Sequence, residues 1–323
     1  MRKLLRKVKT AAIAVAVFLG LGLAWLWWGP GPADQAISVQ IARGASLTSA
    51  ARQLEAAGAV RDARRFYILA RLLGSKDPIK AGEFALPASA SPAQILDILQ
   101  HNQPVQHLVT IPEGTPSILV YEKLIAEPLL TGTIDVPAEG SILPDSYAFE
   151  RGETRAAVLA RMERAMQSTL DALWAARKSS TVVKSPREAV TLASIVEKET
   201  GKPSERRMVA GVYSNRLRIG MKLDADPTVI YPITRGKPLG RRIRVSELRA
   251  DNGYNTYARP GLPVGPIANP GRESLAAVLD PAPTRALFFV ADGTGGHVFA
   301  ETLAEHNQNV VKWRAIRRAR GEM

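Results

Sequence analysis

Cysteine is absent from this 323-residue chain, and histidine occurs only four times. The first absence excludes thiol catalysis, cysteine metal sites and disulfides, and it is compatible with an exported chain. His101, His107, His297 and His306 are scattered, with no His-Glu-x-x-His pattern, so no metal site is expected. Gly-x-Ser-x-Gly is also missing, and no Ser-x-x-Lys stands in a convincing nucleophile context. Gly293-Thr-Gly-Gly296 lacks the Gly-Lys-Ser/Thr ending of a phosphate loop and reads as a hairpin turn. No internal repeat is evident, and nothing calls for a cofactor. Acidic residues are in deficit, 30 against 43 Lys and Arg, giving a formal charge of +13.

That charge is concentrated at the ends. Arg2, Lys3, Arg6, Lys7 and Lys9 contribute +5, the segment from Lys312 to Glu322 contributes +4, and +4 remains between them. With no basic-aromatic stripe either, a nucleic-acid partner is not expected. The 46% hydrophobic content can build one large core or two modest ones.

The basic tail, residues 1–9, precedes Ala11 to Trp28, eighteen residues without a charge and about enough to cross a hydrocarbon core. The sequence therefore predicts a transmembrane helix over 10–28. Trp25, Trp27 and Trp28 close the run where an interfacial aromatic belt would lie, and Gly29-Pro-Gly-Pro32 ends it. A cleaved signal peptide shares the charged start and apolar core. The Trp-rich end and the lack of a small-x-small site after it favour a retained anchor. The positive-inside rule then puts residues 1–9 in the cytoplasm and the rest outside.

After a linker over 29–36, a small α+β module is predicted over 37–111. It comprises a strand at Ile37 to Ile41, helices at Leu47 to Ala57 and Asp62 to Leu73, a strand at Lys80 to Leu86, a helix opened by Ser91-Pro92 and a strand at Val105 to Ile111. Residues 112–323 read as a mixed α+β domain. Its helices are expected at Ser117 to Ile125, Thr154 to about Arg177, Pro186 to Glu199, and Ser204 to Leu217 with Ser204 as cap. Residues 224–231 read as a loop leading to a short strand, and the chain stays loop-rich to Pro270. A helix at Ser274 to Leu279, a strand at Leu287 to Ala291 and a closing helix from Leu303 follow.

Chemistry is expected at the end of the apolar helix Ala189-Val-Thr-Leu-Ala-Ser-Ile-Val-Glu197-Lys-Glu199. A carboxyl group held against apolar surface has a penalised charged form, so its pKa rises and it can act as a general acid near neutrality. Glu197 and Glu199 stand about 200° apart around a helix, so both cannot enter one site, and periodicity does not choose between them. Asp224 and Asp226 lack the ligand count of a calcium loop, and turn capping is expected of at least one. Tyr254-Asn-Thr-Tyr257 and the Pro/Gly run from Arg259 to Gly271 mix a rigid loop with side chains suited to stacking on and hydrogen bonding sugars.

Taken in order, Leu143-Pro-Asp-Ser-Tyr147, Ala193-Ser-Ile-Val-Glu-Lys-Glu199, Val212-Tyr-Ser-Asn-Arg-Leu217, Met221-Lys-Leu-Asp-Ala-Asp-Pro-Thr-Val-Ile-Tyr231, Tyr254-Asn-Thr-Tyr257, Gly261-Leu-Pro-Val-Gly-Pro-Ile267 and Phe289-Val-Ala-Asp-Gly293 resemble the endolytic murein transglycosylase (YceG-like) family over nearly the whole exported chain. The resemblance implies cleavage of peptidoglycan glycan strands between N-acetylmuramic acid and N-acetylglucosamine, leaving 1,6-anhydro-muramyl ends. It implies Glu199, the second acid of Glu-Lys-Glu, as the catalytic residue, and a LysM-like module at 37–111 ahead of a catalytic domain at 112–323. Asn215, Asp226, Tyr254, Asn255 and Thr256 become candidates for positioning sugar or holding Glu199. The implied setting is the periplasmic face of the inner membrane, on nascent glycan, with cell-wall synthases as candidate partners. The competing reading is a non-catalytic peptidoglycan-binding scaffold.

Overall fold

The structure, a computed structural model, describes residues 2–322, which divide into two compact units: 2–107 with 149–151, and 108–148 with 152–322. In the first, helix α1 (Arg2–Trp28) precedes β1 (Ile37–Ile41), α2 (Leu47–Ala56), α3 (Ala63–Leu73), β2 (Gly82–Leu86) and α4 (Pro92–His101). Strands β1 and β2 pair antiparallel, with Ile37 opposite Leu86 and Ile41 opposite Gly82. Their inward residues Val39, Ile41, Phe84 and Leu86 bury against Leu54, Phe66, Leu69, Ile95 and Leu99. The helices begin where side chains replace missing backbone partners. Ser46, Asp62 and Ser91 accept from the amides of Ser49, Arg65 and Gln94, each cap contributing about 1 kcal/mol. Gln94 bonds back to Ser91 and completes a capping box.

The tryptophans at the end of α1 do not act as one belt. Trp27 is buried in the core of this unit, its ring 6.4 Å from that of Phe66, whereas Trp25 and Trp28 are exposed. At 100° per residue, positions 25 and 28 share a face and position 27 is turned away from both. Within α1 the stretch Arg6–Trp28 is long and apolar enough to cross a bilayer.

Strands β3 (His107–Thr110) and β4 (Ser146–Phe149) form a second two-stranded sheet. The second unit then holds α5 (Ser117–Ala126), α6 (Arg155–Ala175), α7 (Pro186–Glu199), α8 (Arg206–Arg218), α9 (Asp226–Thr234), α10 (Val245–Arg249) and α11 (Arg272–Leu279). The hairpin β5 (Phe288–Ala291) and β6 (His297–Ala300) and helix α12 (Leu303–Ala319) close it. Helix α7 is central: every residue from Ala189 to Val196 is buried, against α6, α8 and α11. A helix apolar on all sides belongs inside a fold. Helix α8 approaches the following chain closely at Gly211, where a Cβ would lie 2.8 Å from the Ala282 carbonyl oxygen.

Two expectations are corrected. Ser204 does not cap α8: it lies inside a 3-10 turn, Pro203–Glu205, that precedes the helix. Residues 226–234 form α9 rather than a loop and strand. Asp226 and Pro227 suit a first helical turn, and Thr228 turns inward to bond Thr256 at 2.9 Å, outweighing the strand tendency of Val229 and Ile230. The Pro/Gly run is tied into the core of the unit. The Ile267 amide donates to Ser194 Oγ on α7 at 3.0 Å, and Ile267, Ala268 and Asn269 are buried. Asn269 accepts from the Ile142 amide and donates to the Thr115 carbonyl, joining segments far apart in sequence.

Candidate active site

Helix α7 ends at Glu199, and its last turn separates the two glutamates. Glu197 has a side chain only 5% exposed; it pairs with Arg206 at 3.4 Å and accepts the Gly271 amide at 2.9 Å, where α11 begins. Arg206 in turn bonds Glu113 at 2.7 Å. Glu197 is therefore committed to holding α7, α8 and α11 together. Glu199 faces a different set of groups.

Burial pushes the Glu199 carboxyl up from an ordinary 4.5 to about 7. A hydrogen bond donated by Tyr213 opposes that rise, the negative charge of Asp226 adds to it, and the positive charge of Arg216 reduces it. Tyr213 and Arg216 are three positions apart on α8 and so share one face. Tyr213 is fully buried, with its ring edge-on to Phe289 at 5.8 Å. Burial, with Glu199 beside it, holds its own pKa far above the usual value, so it remains a neutral donor. Arg216 is fixed by the Leu287 carbonyl at 2.6 Å and the Leu223 carbonyl at 2.8 Å, and it lies over the Phe288 ring. Its guanidinium reaches Asp224 only at 3.8 Å.

Asp226 opens α9 and accepts a 2.7 Å hydrogen bond from the Tyr257 hydroxyl. Burial and this carboxylate both raise the Tyr257 pKa, so it too stays a donor. Burial likewise raises Asp224, which adopts a left-handed φ of 49°. The cluster can thus carry one exchangeable proton near neutral pH, on Glu199, surrounded by fixed donors and one flanking carboxylate. A groove of about 460 Å³ lies beside Lys198, lined also by Pro227, Ile230, Lys237 and Leu239; Glu199 is not among the residues that line it.

Of the sequence candidates, Glu199 and Asp226 are brought together. Thr256 lies one layer below, buried, its hydroxyl accepting the Ala225 amide at 3.0 Å and so fixing the start of α9. Asn255 is buried and donates to the carbonyls of Glu247, Leu248 and Ala250, where α10 ends. Asn215 donates to the Thr284 and Ala286 carbonyls, away from the face that carries Tyr213 and Arg216. Tyr254 packs its ring 4.8 Å from Tyr231, whose hydroxyl is also linked to Glu139. Sequence reasoning passed over Tyr213 and Arg216, and read Tyr257 only as part of a sugar-facing motif, not as the partner of Asp226. The signal for the first two was a tyrosine and an arginine continuing the buried stripe of Val209 on an amphipathic helix. Among the described residues no group of three or more His, Asp or Glu is arranged to hold a metal ion.

The model of the YceG-like family matches residues 39–312. A Bacillus subtilis (strain 168) protein named endolytic murein transglycosylase is 35% identical over 178 residues, 55% of this chain and 48% of that protein. A Streptococcus pneumoniae (strain D39) protein of the same name is 28% identical over 325 residues, 85% of this chain and 58% of that one. The chain thus spans about half the length of the curated relatives it matches. A crystal structure of a yceG-like protein from Listeria monocytogenes superposes with a TM-score of 0.52 at 27% identity, covering 85% of this chain and 99% of that one.

Proposed function

Because the chain belongs to the YceG-like family, we propose that it is an endolytic lytic transglycosylase of peptidoglycan, with Glu199 as its acid and then its base. The observation that carries this reading is the setting of Glu199, half-buried at the end of α7 against Tyr213, Asp226 and Arg216, where desolvation raises its carboxyl to about 7. A carboxyl group poised there is protonated often enough to donate and basic enough to accept. In the first step the Glu199 proton passes to the glycosidic oxygen as the bond to C1 of the muramyl residue breaks through an oxocarbenium-like state. In the second, the Glu199 carboxylate takes the proton of the muramyl C6 hydroxyl, and that oxygen closes on C1. No water is consumed, which leaves a 1,6-anhydro end.

Tyr213 and Arg216 stabilise the Glu199 carboxylate between the two steps, and their preorganised donors need no rearrangement. Asp226, held by Tyr257, offers a negative charge to the developing positive centre, alongside the substrate's own acetamido group. Tyr254 is the candidate for stacking on sugar. Asn215, Asn255 and Thr256 act from behind the site, through the loops and helix ends they hold. Helix α1 serves as a membrane anchor with both units on the outer side of the cytoplasmic membrane, where nascent glycan and its synthases are met. Residues 37–111 act as a LysM-like glycan-binding module.

Mass spectrometry of purified glycan strands incubated with the full chain in detergent tests the reaction. Anhydro-ended fragments from the wild type, lost with Glu199→Gln, are expected. Reducing-end products would mean hydrolysis and overturn the proposal.

A further inference from the structure

Helix α3 buries Phe66, Leu69 and Ala70, packs Ala63 and Tyr67 half-buried against the same core, and turns its opposite side to solvent. That outer surface carries Arg64, Arg65 and Arg71 together with Ile68, 43% exposed, and Leu72, 70% exposed. Arg61 stands just before the helix, also exposed. Among the described residues none of these four arginines has an ion-pair partner, and the nearby acids are occupied: Asp62 accepts the Arg65 amide and Glu55 the Ala63 amide. Unpaired arginines interleaved with exposed aliphatic side chains form the polar-and-apolar face of a helix that lies at a membrane interface.

The position of α3 in the fold is as informative as its composition. Trp27 packs on Phe66, so the start of α3 is joined to the end of α1 through the buried core of one unit. A cleft of about 150 Å³ lies at that junction, lined by Trp25, Leu26 and Pro30 from the α1 end and by Arg61 and Arg65 from the α3 end. Where α1 crosses a bilayer, its final turn lies at the headgroup level, and these two guanidinium groups lie there with it. We infer that the outer face of α3 and the adjoining cleft form a binding surface for anionic phospholipid headgroups, which holds the first unit flat against the membrane. The inference rests on reading α1 as a membrane anchor. Arginine forks match phosphate oxygens, and Ile68 and Leu72 match the acyl boundary. Tyr67, the tyrosine of α3, is packed half-buried against the core, so the exposed side chains of this helix are arginine and aliphatic and fit lipid better than glycan.

The absence of cysteine permits a direct test. Leu72→Cys and Ala14→Cys variants of the full chain, each labelled with an environment-sensitive dye, are placed in nanodiscs of phosphatidylcholine with or without phosphatidylglycerol. The dye at position 14 should be quenched by spin-labelled lipid in both discs. The dye at position 72 should be quenched by shallow spin labels, more strongly with phosphatidylglycerol. Each arginine near an anionic surface favours contact about fivefold, so Arg64→Gln, Arg65→Gln and Arg71→Gln together should weaken it about a hundredfold. A dye at position 72 that stays in water while position 14 is quenched overturns the inference and leaves the anchor intact. Response of position 72 to soluble peptidoglycan fragments, and not to phosphatidylglycerol, overturns it in favour of a wall-facing surface. Failure of position 14 to be quenched removes the anchor, and the inference falls with it.

Discussion

Replacing Glu199 with Gln should stabilise the second unit while removing its proposed activity. Burial holds the Glu199 carboxyl at about 7 against an ordinary 4.5, and each pH unit of difference corresponds to about 1.4 kcal/mol. Because the folded pKa is the higher one, the group favours the folded state fully below pH 4.5 relative to its ionised form. That contribution is lost as pH rises through about 7. Ionised Glu199 therefore costs roughly 3 kcal/mol at pH 8, and the cost shrinks to about 1 kcal/mol at pH 5. Gln keeps an oxygen to accept from Tyr213 and carries no charge to bury. Urea unfolding of the full chain in micelles, followed by tryptophan fluorescence, should show the Gln variant gaining on the wild type as pH is raised from 5 to 8. A difference that does not change with pH, or a wild type more stable at pH 8, would refute the argument that Glu199 is buried as an acid. Stability given up at one side chain for a proton held near neutrality is what a general acid requires.

Three further outcomes follow from the same contacts. Tyr213→Phe removes a donor to the Glu199 carboxylate, so the fall in kcat/KM above about pH 7 should move to higher pH by about one unit; an unmoved limb would show that Tyr213 does not bond the acid. Glu197→Gln breaks the pair with Arg206 and should cost about 3 kcal/mol in urea unfolding while cleavage per folded molecule persists; loss of cleavage by well-folded protein would reassign the acid. Trp27→Ala should cost about 3–5 kcal/mol in the first unit, and Trp25→Ala under about 1 kcal/mol, because only Trp27 fills a core; equal effects in thermal unfolding would contradict its burial.

Much of the local structure is legible in the sequence because its causes are local. Ser46, Asp62, Ser91 and Thr154 start helices by accepting amides three residues ahead, the apolar stripe of α6 fixes its buried face, and the continuous apolar run of α7 places that helix inside the fold. Where local signals compete, the reading fails. Ser204 has the right side chain for a cap, but Glu205 next to it is held by His297, 92 positions away, and the chain there makes a 3-10 turn. Thr228, Val229 and Ile230 suit a strand, yet partners from residue 256 and from α7 make them helical. The role of Trp27 was likewise undecidable from an apolar run, since a membrane and a protein core recruit the same side chain.

At the carboxyl pair on α7 the division is clearest. The sequence alone determined that two glutamates end an apolar helix, that they face opposite ways, and that their motif resembles one family; these depend on helical geometry and residue order. Tertiary structure decided which acid is paired with a cation and which is left beside a tyrosine, an aspartate and a more distant arginine. It also decided that Asn215 and Asn255 are spent on backbone carbonyls. The physical reason is that a pKa or a hydrogen bond belongs to a side chain's surroundings, and those surroundings arrive from α8, α9 and the loop at 254–257, segments that meet only when the chain folds.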